Sequence, residues 1–157
     1  MEVFLKVLLA IDSSRFSEAA TQALIAQVRP NQTEVRVLHV IEVYPLYSAN
    51  QRLGPDLAVA SEEHRHEAEA LVARGARVLR DAGFQVTTAV EQGDPKVVVI
   101  DTAAEWNADL IMLGSHGEKD WTRFLMGSVS EAVVRHAQCS VQIVRIRPGR
   151  RMDEVGQ

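Results

Sequence analysis

The sequence predicts an α/β protein with a parallel sheet that is covered by helices on both faces. Short apolar runs typical of strands alternate with longer segments of helical periodicity, an order that implies right-handed crossovers. The first run, Phe4 to Ile11, is almost continuously apolar, as expected of a central strand buried on both faces. The 157 residues fit one domain that is large enough to bury a core.

The first half of the chain is expected to hold two strands and two helices. A helix from about Ser17 to Val28 ends before Pro30, because the residue preceding a proline avoids the helical region. The second strand, Glu34 to Val43, is rich in β-branched residues. Residues 44–59 show no clear period and are predicted to form a long loop. The helix Ser61 to Ala82 carries one apolar stripe and ends at a glycine.

The second half repeats the alternation with shorter elements. A third strand is expected at Gln85 to Glu91, and the Asp94-Pro95 pair after it is typical of a helix start. The remaining elements are a helix to about Asn107, the strand Asp109–Leu113, the helix Ser128–His136 and the strand Ser140–Ile146. We expect a single domain over residues 1–147 and a polar tail over residues 148–157.

The composition indicates a soluble cytoplasmic protein. A hydrophobic fraction of 46% with 24% charged residues is typical of globular chains, and a net charge of -4 argues against a nucleic-acid surface. The single cysteine, Cys139, cannot form an internal disulfide, which favours a reducing compartment. The N-terminal apolar run is too short to span a membrane and lacks the features of a signal peptide.

A glycine-rich stretch after the fourth predicted strand is the main candidate for a binding site. Gly114, Gly117 and Gly127 precede the last helix, where Ser128 and Glu131 have the spacing of a capping box. Glycines let the backbone approach a ligand closely, and the start of a helix presents unpaired amides to an anion. The stretch therefore predicts a phosphate site, although such glycines and serines can also serve only to make turns.

The ends of the strands supply the second candidate region. In open parallel sheets, ligands bind outside the carboxyl ends of the strands, where the strand order reverses. Asp12 after the first strand and the residues around Val40 and Ile41 in the second should meet the glycine stretch there. Asp12 could accept hydrogen bonds from a ribose or a base, or it could cap a turn. Neither a Walker loop nor a dinucleotide fingerprint occurs in the sequence.

The pattern Gly-x2-Gly-x9-Gly-Ser from Gly114 to Ser128 resembles the ATP-binding motif of the universal stress protein family. The resemblance extends over Leu8–Asp12, Leu38–Val40, Ala108–Gly117 and the helix that follows Gly127, and so covers nearly the whole chain. It implies a five-stranded parallel sheet in the order 3-2-1-4-5 and binding of ATP. A magnesium or manganese ion that bridges phosphate oxygens would accompany the nucleotide.

The same resemblance implies a role for each site residue. Asp12 and the main chain near Ile41 would meet the adenine and ribose, Gly114 would lie under the ribose, and the residues from Gly117 onward would hold the phosphates. The expected nucleotide-binding set is Ala10, Asp12, Ile41, Leu113, Gly114, Gly117, Gly127, Ser128, Val129 and Ser130. No catalytic residue and no protein ligand to a metal is expected.

Several other side chains have two interpretations each. His39 is expected to be a hydrogen-bonded core residue, and His64 a surface residue. His116 lies between two glycines and could touch a phosphate or maintain the geometry of the loop. In the linker that follows, Lys119 and Arg123 could neutralise phosphate charge or remain solvated, and Trp121 could cover the site or pack on the sheet.

The favoured function is that of an ATP-binding regulatory protein of the stress response, with slow hydrolysis at most. The alternatives are a slow ATPase or phosphotransferase, and a nucleotide-free dimer that acts through protein partners. No set of carboxylate and lysine residues that would activate a water is evident in the sequence, which disfavours fast hydrolysis. The last strand, Ser140 to Ile146, is expected at an edge of the sheet, where the resemblance implies pairing into a homodimer.

Overall fold

The computed structural model describes residues 4–43, 61–117 and 125–147. Strands and helices alternate along these ranges, with a short 3-10 turn at Pro30–Gln32. The strands are β1 (Leu5–Ala10), β2 (Thr33–Glu42), β3 (Gln85–Gly93), β4 (Leu110–Gly114) and β5 (Ser140–Val144). The helices are α1 (Arg15–Gln27), α2 (Glu62–Asp81), α3 (Pro95–Trp106) and α4 (Ser128–His136).

The five strands form one parallel sheet in the order β3-β2-β1-β4-β5. This confirms the expected fold class and strand order. The chain moves outward from β1 to β2 and β3, then crosses back to β4 on the other side of β1. The reversal lies between β1 and β4, and a doubly wound sheet opens its ligand crevice at this point.

The core has two layers, one on each face of the sheet. Val7 and Leu9 of β1 pack with α1 and α2 on one face, whereas Leu8 packs with α3 and α4 on the other. All three side chains are fully buried. Burial on both faces explains why the β1 sequence is continuously apolar rather than alternating.

The predicted elements are confirmed, with boundaries that shift by one or two residues. Helix α1 begins at Arg15 rather than near Ser17, because Ser14 is its N-cap and accepts a hydrogen bond from the Ser17 amide. Strand β3 continues to Gly93, paired along its length with β2. Strand β5 ends at Val144, two residues before the predicted end.

Some expectations concern residues outside the described ranges. These are the loop over residues 44–59, the linker residues Lys119, Trp121 and Arg123, and the tail over residues 148–157. Within the ranges that the structure describes, none of the helices is long and apolar enough to cross a membrane.

Candidate functional site

A cleft of about 870 Å³ opens at the carboxyl edge of the sheet, at the predicted crevice. It is bordered by the ends of β1, β2 and β4, by α2, and by the first turn of α4. Nine of the ten residues predicted from the sequence line this one cleft; Gly127, which is buried, does not. The nine are Ala10, Asp12, Ile41, Leu113, Gly114, Gly117, Ser128, Val129 and Ser130.

Asp12 is held in place by the turn between β1 and α1. Its Oδ1 atom accepts hydrogen bonds from the Ser14 amide and the Ser17 hydroxyl, both at 2.9 Å. The Asp12 amide donates to the oxygen of the same Ser17 hydroxyl at 2.8 Å. The turn role considered for Asp12 is therefore confirmed, and the turn itself places the residue on the cleft.

Gly114 and Gly117 are needed for space rather than for backbone conformation, because neither has a positive φ. A Cβ atom on Gly114 would lie 2.6 Å from the Phe16 Cβ and 2.8 Å from the Phe16 carbonyl carbon and oxygen. A Cβ atom on Gly117 would lie 3.2 Å from Asp12 Oδ2. The first glycine thus lets α1 pack on β4, and the second lets the loop approach Asp12.

The predicted capping box at the start of α4 is wrong. The N-cap is Gly127, with φ -63° and ψ 159°, and no side chain caps the helix. Ser128 is the first helical residue, and Glu131 instead pairs with Arg135 one turn later, at 3.1 Å. The helix therefore starts at the position that the sequence pattern assigns to the cap, one residue earlier than a capping box at Ser128 would allow. The Glu131 carboxylate is thus paired with Arg135 instead of with the N-terminal amides of the helix.

The two ends of the glycine stretch are joined through Ser115. Its buried carbonyl oxygen accepts hydrogen bonds from the Gly127 amide at 2.7 Å and from the Ser130 hydroxyl at 2.9 Å. Its amide donates to the Val144 carbonyl oxygen of β5 at 2.9 Å. Gly127 and Ser130 are thereby fixed against the end of β4.

His116 adds a side-chain link across the same stretch. Its Nδ1 atom lies 2.9 Å from the Ser115 hydroxyl oxygen, and its Nε2 atom is hydrogen bonded to the Leu125 carbonyl oxygen. Because a carbonyl only accepts, Nε2 carries the proton in the neutral ring and Nδ1 accepts from Ser115. The ring also packs on Phe16, at 5.1 Å between centroids. We call the hydrogen bonds of Ser115 and His116 to Leu125, Gly127 and Ser130 the loop clasp.

His39 lies at the cleft, so its expected place in the core is wrong, whereas the expected hydrogen bond is present. The side chain is half-buried and lines the cleft, and its Nδ1 atom lies 2.7 Å from the Ile11 carbonyl oxygen. Since the carbonyl can only accept, Nδ1 must carry the proton. Nothing in the sequence indicated this contact, because it depends on where β1 ends beside β2.

The main-chain groups that face the cleft from β2 belong to Val40 rather than to Ile41. The Ile11 amide donates to the Leu38 carbonyl oxygen at 2.9 Å, and the Val43 amide donates to the Gly93 carbonyl oxygen at 3.2 Å. Successive residues of a strand direct their main-chain groups to opposite neighbours. Even-numbered residues of β2 thus face β1, and odd-numbered residues face β3. Ile41 lines the cleft, while its amide and carbonyl lie on the β3 side.

Helix α2 forms a wall of the cleft that the sequence interpretation missed. His64, assigned to the surface, is exposed at the rim of the cleft, and Arg74 lies about three turns further along the helix. The residues of α2 that line the cleft are His64, Glu67, Ala68, Leu71 and Arg74. Their spacing of three or four residues marks one face of a helix. That periodicity is visible in the sequence, but the ligand-facing side of the helix depends on its packing.

The described residues contain no group of three or more histidine, cysteine, aspartate or glutamate side chains that could hold a metal ion.

An open parallel sheet with a glycine stretch and a helix start at its crevice defines a doubly wound, Rossmann-like α/β protein. The family model described as "Universal stress protein family" matches residues 4–145 of the chain. The chain therefore belongs to the universal stress protein family, as the resemblance of its motifs implied.

Individual relatives agree with this assignment. A universal stress protein homologue of Staphylococcus aureus (strain USA300) is 35% identical over 149 residues, which cover 92% of this chain and 86% of that protein. The solved structure of protein MJ0577 has a TM-score of 0.75 and 26% identity, covering 92% of this chain and 98% of its own. The universal stress protein of Archaeoglobus fulgidus, solved in complex with dAMP, has a TM-score of 0.66 and 21% identity, covering 92% and 99%.

Proposed function

We propose that this protein binds an adenine nucleotide in the cleft and acts as a nucleotide-dependent regulatory protein of the stress response. The observation that carries the proposal is the convergence of nine predicted residues, from four separate parts of the chain, on one cleft. The dAMP complex of the Archaeoglobus fulgidus relative supports the choice of adenine nucleotide.

The two ends of the cleft suit the two ends of a nucleotide. We call Asp12, His39, Val40 and Ile41 the strand-end wall. It offers the side chains of Asp12 and His39 and the main chain of Val40 for hydrogen bonds to a base and a ribose, beside the apolar side chain of Ile41. Gly114, Gly117 and the first turn of α4, which we call the glycine wall, offer helix amides and close backbone approach for phosphates.

ATP is the specific ligand that we propose, with Mg²⁺ or Mn²⁺ bound to its phosphates. Acidic side chains at the cleft, including Asp12, Glu42 and Glu67, would oppose a bare triphosphate. A divalent cation would reduce that repulsion. This ion would be carried by the phosphate oxygens, in keeping with the lack of a metal-binding cluster among the described residues.

Hydrolysis is expected to be slow. Asp12 and His116, two titratable side chains of the described residues that line the cleft beside the glycine wall, are already held by hydrogen bonds within the protein. A general base needs a free position within reach of the attacking water. This arrangement favours a binding protein over the alternative of a slow ATPase or phosphotransferase.

We also propose that the protein forms a homodimer through the edge strand β5. The strand occupies the outer position next to β4, and an outer strand has one side of its backbone that no strand of the sheet pairs with. Antiparallel pairing of two copies across a two-fold axis would cover both edges. Light scattering during gel filtration tests this, and a monomer mass at micromolar concentration would contradict it.

Isothermal titration with ATP, ADP, AMP and, as a base control, GTP tests the proposed function. We expect heat from the adenine nucleotides and at least tenfold weaker binding of GTP. No heat from any nucleotide would leave the partner-binding alternative. Binding accompanied by many turnovers within minutes would favour the enzyme.

A further inference from the structure

The hydrogen-bond ladder between β1 and β2 ends at Ile11, whose amide takes part in it and whose carbonyl does not. In a parallel pair, a residue that donates its amide to one carbonyl also accepts, on its own carbonyl, from the amide two residues further along the partner strand. The Ile11 amide donates to the Leu38 carbonyl oxygen at 2.9 Å. The next rung would therefore run from the Val40 amide to the Ile11 carbonyl.

That rung is not formed, and a side chain occupies its acceptor. The Ile11 carbonyl oxygen lies 2.7 Å from His39 Nδ1, and the hydrogen bonds of the described residues include none from the Val40 amide to this oxygen. The His39 side chain stands on the face of the sheet, as strand side chains do. The Ile11 carbonyl thus has a side-chain donor on that face in place of the main-chain donor of the next rung.

We propose that His39 is a positioning residue that holds the Ile11 carbonyl, ends the β1–β2 ladder one rung early and so keeps the Val40 amide available to a ligand. The amide then lies beside the cleft, where Val40 and Ile41 are lining residues. It is a donor suited to an acceptor atom on the edge of a planar base. The identity of that ligand as adenine rests on the proposed function; the interrupted ladder does not.

Two substitutions separate this role from a merely structural one. His39→Leu fills similar space but cannot donate, so the Ile11 carbonyl should return to the ladder and accept from Val40. His39→Asn is the matched control, because its side-chain nitrogen is the same number of bonds from Cα as Nδ1 and can still donate.

Amide hydrogen exchange of the ligand-free protein, followed by nuclear magnetic resonance, is the first measurement. In the wild type the Val40 amide should exchange at least about tenfold faster than the Leu38 amide, which lies one rung inside the ladder. His39→Leu should slow Val40 exchange about tenfold, and His39→Asn should leave it near the wild-type rate. A merely structural histidine would give the opposite sign, because its loss would loosen the strand end.

Titration of the same three proteins with AMP is the second measurement. His39→Leu should weaken AMP binding about tenfold, and His39→Asn should restore most of it. Equal exchange at Val40 and Leu38 in the wild type, or faster or unchanged exchange at Val40 in His39→Leu, would overturn the proposal. If the wild type bound no adenine nucleotide, the proposed function would fail, while the exchange rates would still decide the role of His39.

Discussion

The strand-end wall and the glycine wall line the same cleft and are built in different ways. Asp12, His39 and Val40 are placed by the sheet itself, through the β1–β2 ladder and the turn that follows β1. The glycine wall depends on the loop clasp, in which one serine and one histidine tie the end of β4 to the residues before α4.

The difference indicates which changes alter binding and which alter folding. A wall made by the sheet shares its contacts with the core, so large changes there should affect stability. The clasp joins only the two ends of the glycine stretch, so changes in it should affect mainly the phosphate end of the cleft. Gly114 is the exception, because it lies on the glycine wall but packs against α1.

The largest effect is expected from Gly114→Ala. The added methyl group would meet the Phe16 backbone at 2.8 Å, and a helix backbone cannot yield as a flexible side chain can. Overpacking of this kind should reduce the free energy of unfolding by about 3 kcal/mol, as measured by urea denaturation. An unfolding free energy equal to that of the wild type would show that α1 and β4 do not pack as described.

Gly117→Val also changes the glycine wall, but at a position where an added Cβ would meet a side chain and no backbone atom. Its Cβ would lie 3.2 Å from Asp12 Oδ2, in a carboxylate that Ser14 and Ser17 hold in place. We expect AMP binding to weaken at least about tenfold, with the unfolding free energy within about 1 kcal/mol of the wild type. Unchanged affinity in calorimetry would remove Gly117 from the binding site.

His116→Ala tests the clasp and should have a smaller effect. The variant loses the hydrogen bonds to Ser115 and Leu125, and each protein hydrogen bond contributes about 1 kcal/mol. Affinity for AMP should fall about fivefold while affinity for adenosine, which has no phosphate, stays the same. An equal loss for both ligands would indicate that the clasp supports the whole cleft rather than its phosphate end.

The smallest effect is expected for alkylation of Cys139, which serves as an internal control. This residue lies outside both walls, directly before β5. Burial, the largest cause, and the charge of Asp109 raise the pKa of its thiol. A raised pKa lowers the thiolate fraction at neutral pH, so alkylation should be slower than that of an exposed thiol. Added AMP should leave the rate unchanged; protection by AMP would place the ligand elsewhere.

The sequence was sufficient to predict the helices and strands, because the patterns that indicate them are short and clear. The apolar run of β1, the Asp94-Pro95 helix start and the glycine at the end of α2 each depend on neighbouring residues only. The strand order came from the family resemblance, since local patterns do not determine which strands pair.

The fine structure of the site could not be predicted in the same way. The Ser128 and Glu131 pattern satisfied the capping-box rule, yet the clasp from Ser115 to Gly127 shifted the start of α4 by one residue. Whether Val40 or Ile41 directs its amide to the cleft depends on which residues of β2 hydrogen bond to β1 and which to β3. Both outcomes depend on contacts between residues that are distant in the sequence.

A titration of ¹⁵N-labelled protein with AMP, adenosine and pyrophosphate, followed by amide chemical shifts, tests the division of the cleft most directly. AMP should shift the amides of both walls, adenosine mainly that of Val40, and pyrophosphate mainly those of Ser128, Val129 and Ser130. Shifts that cluster instead around Arg36 and Trp106, at the separate cavity between β3 and α3, would contradict the account.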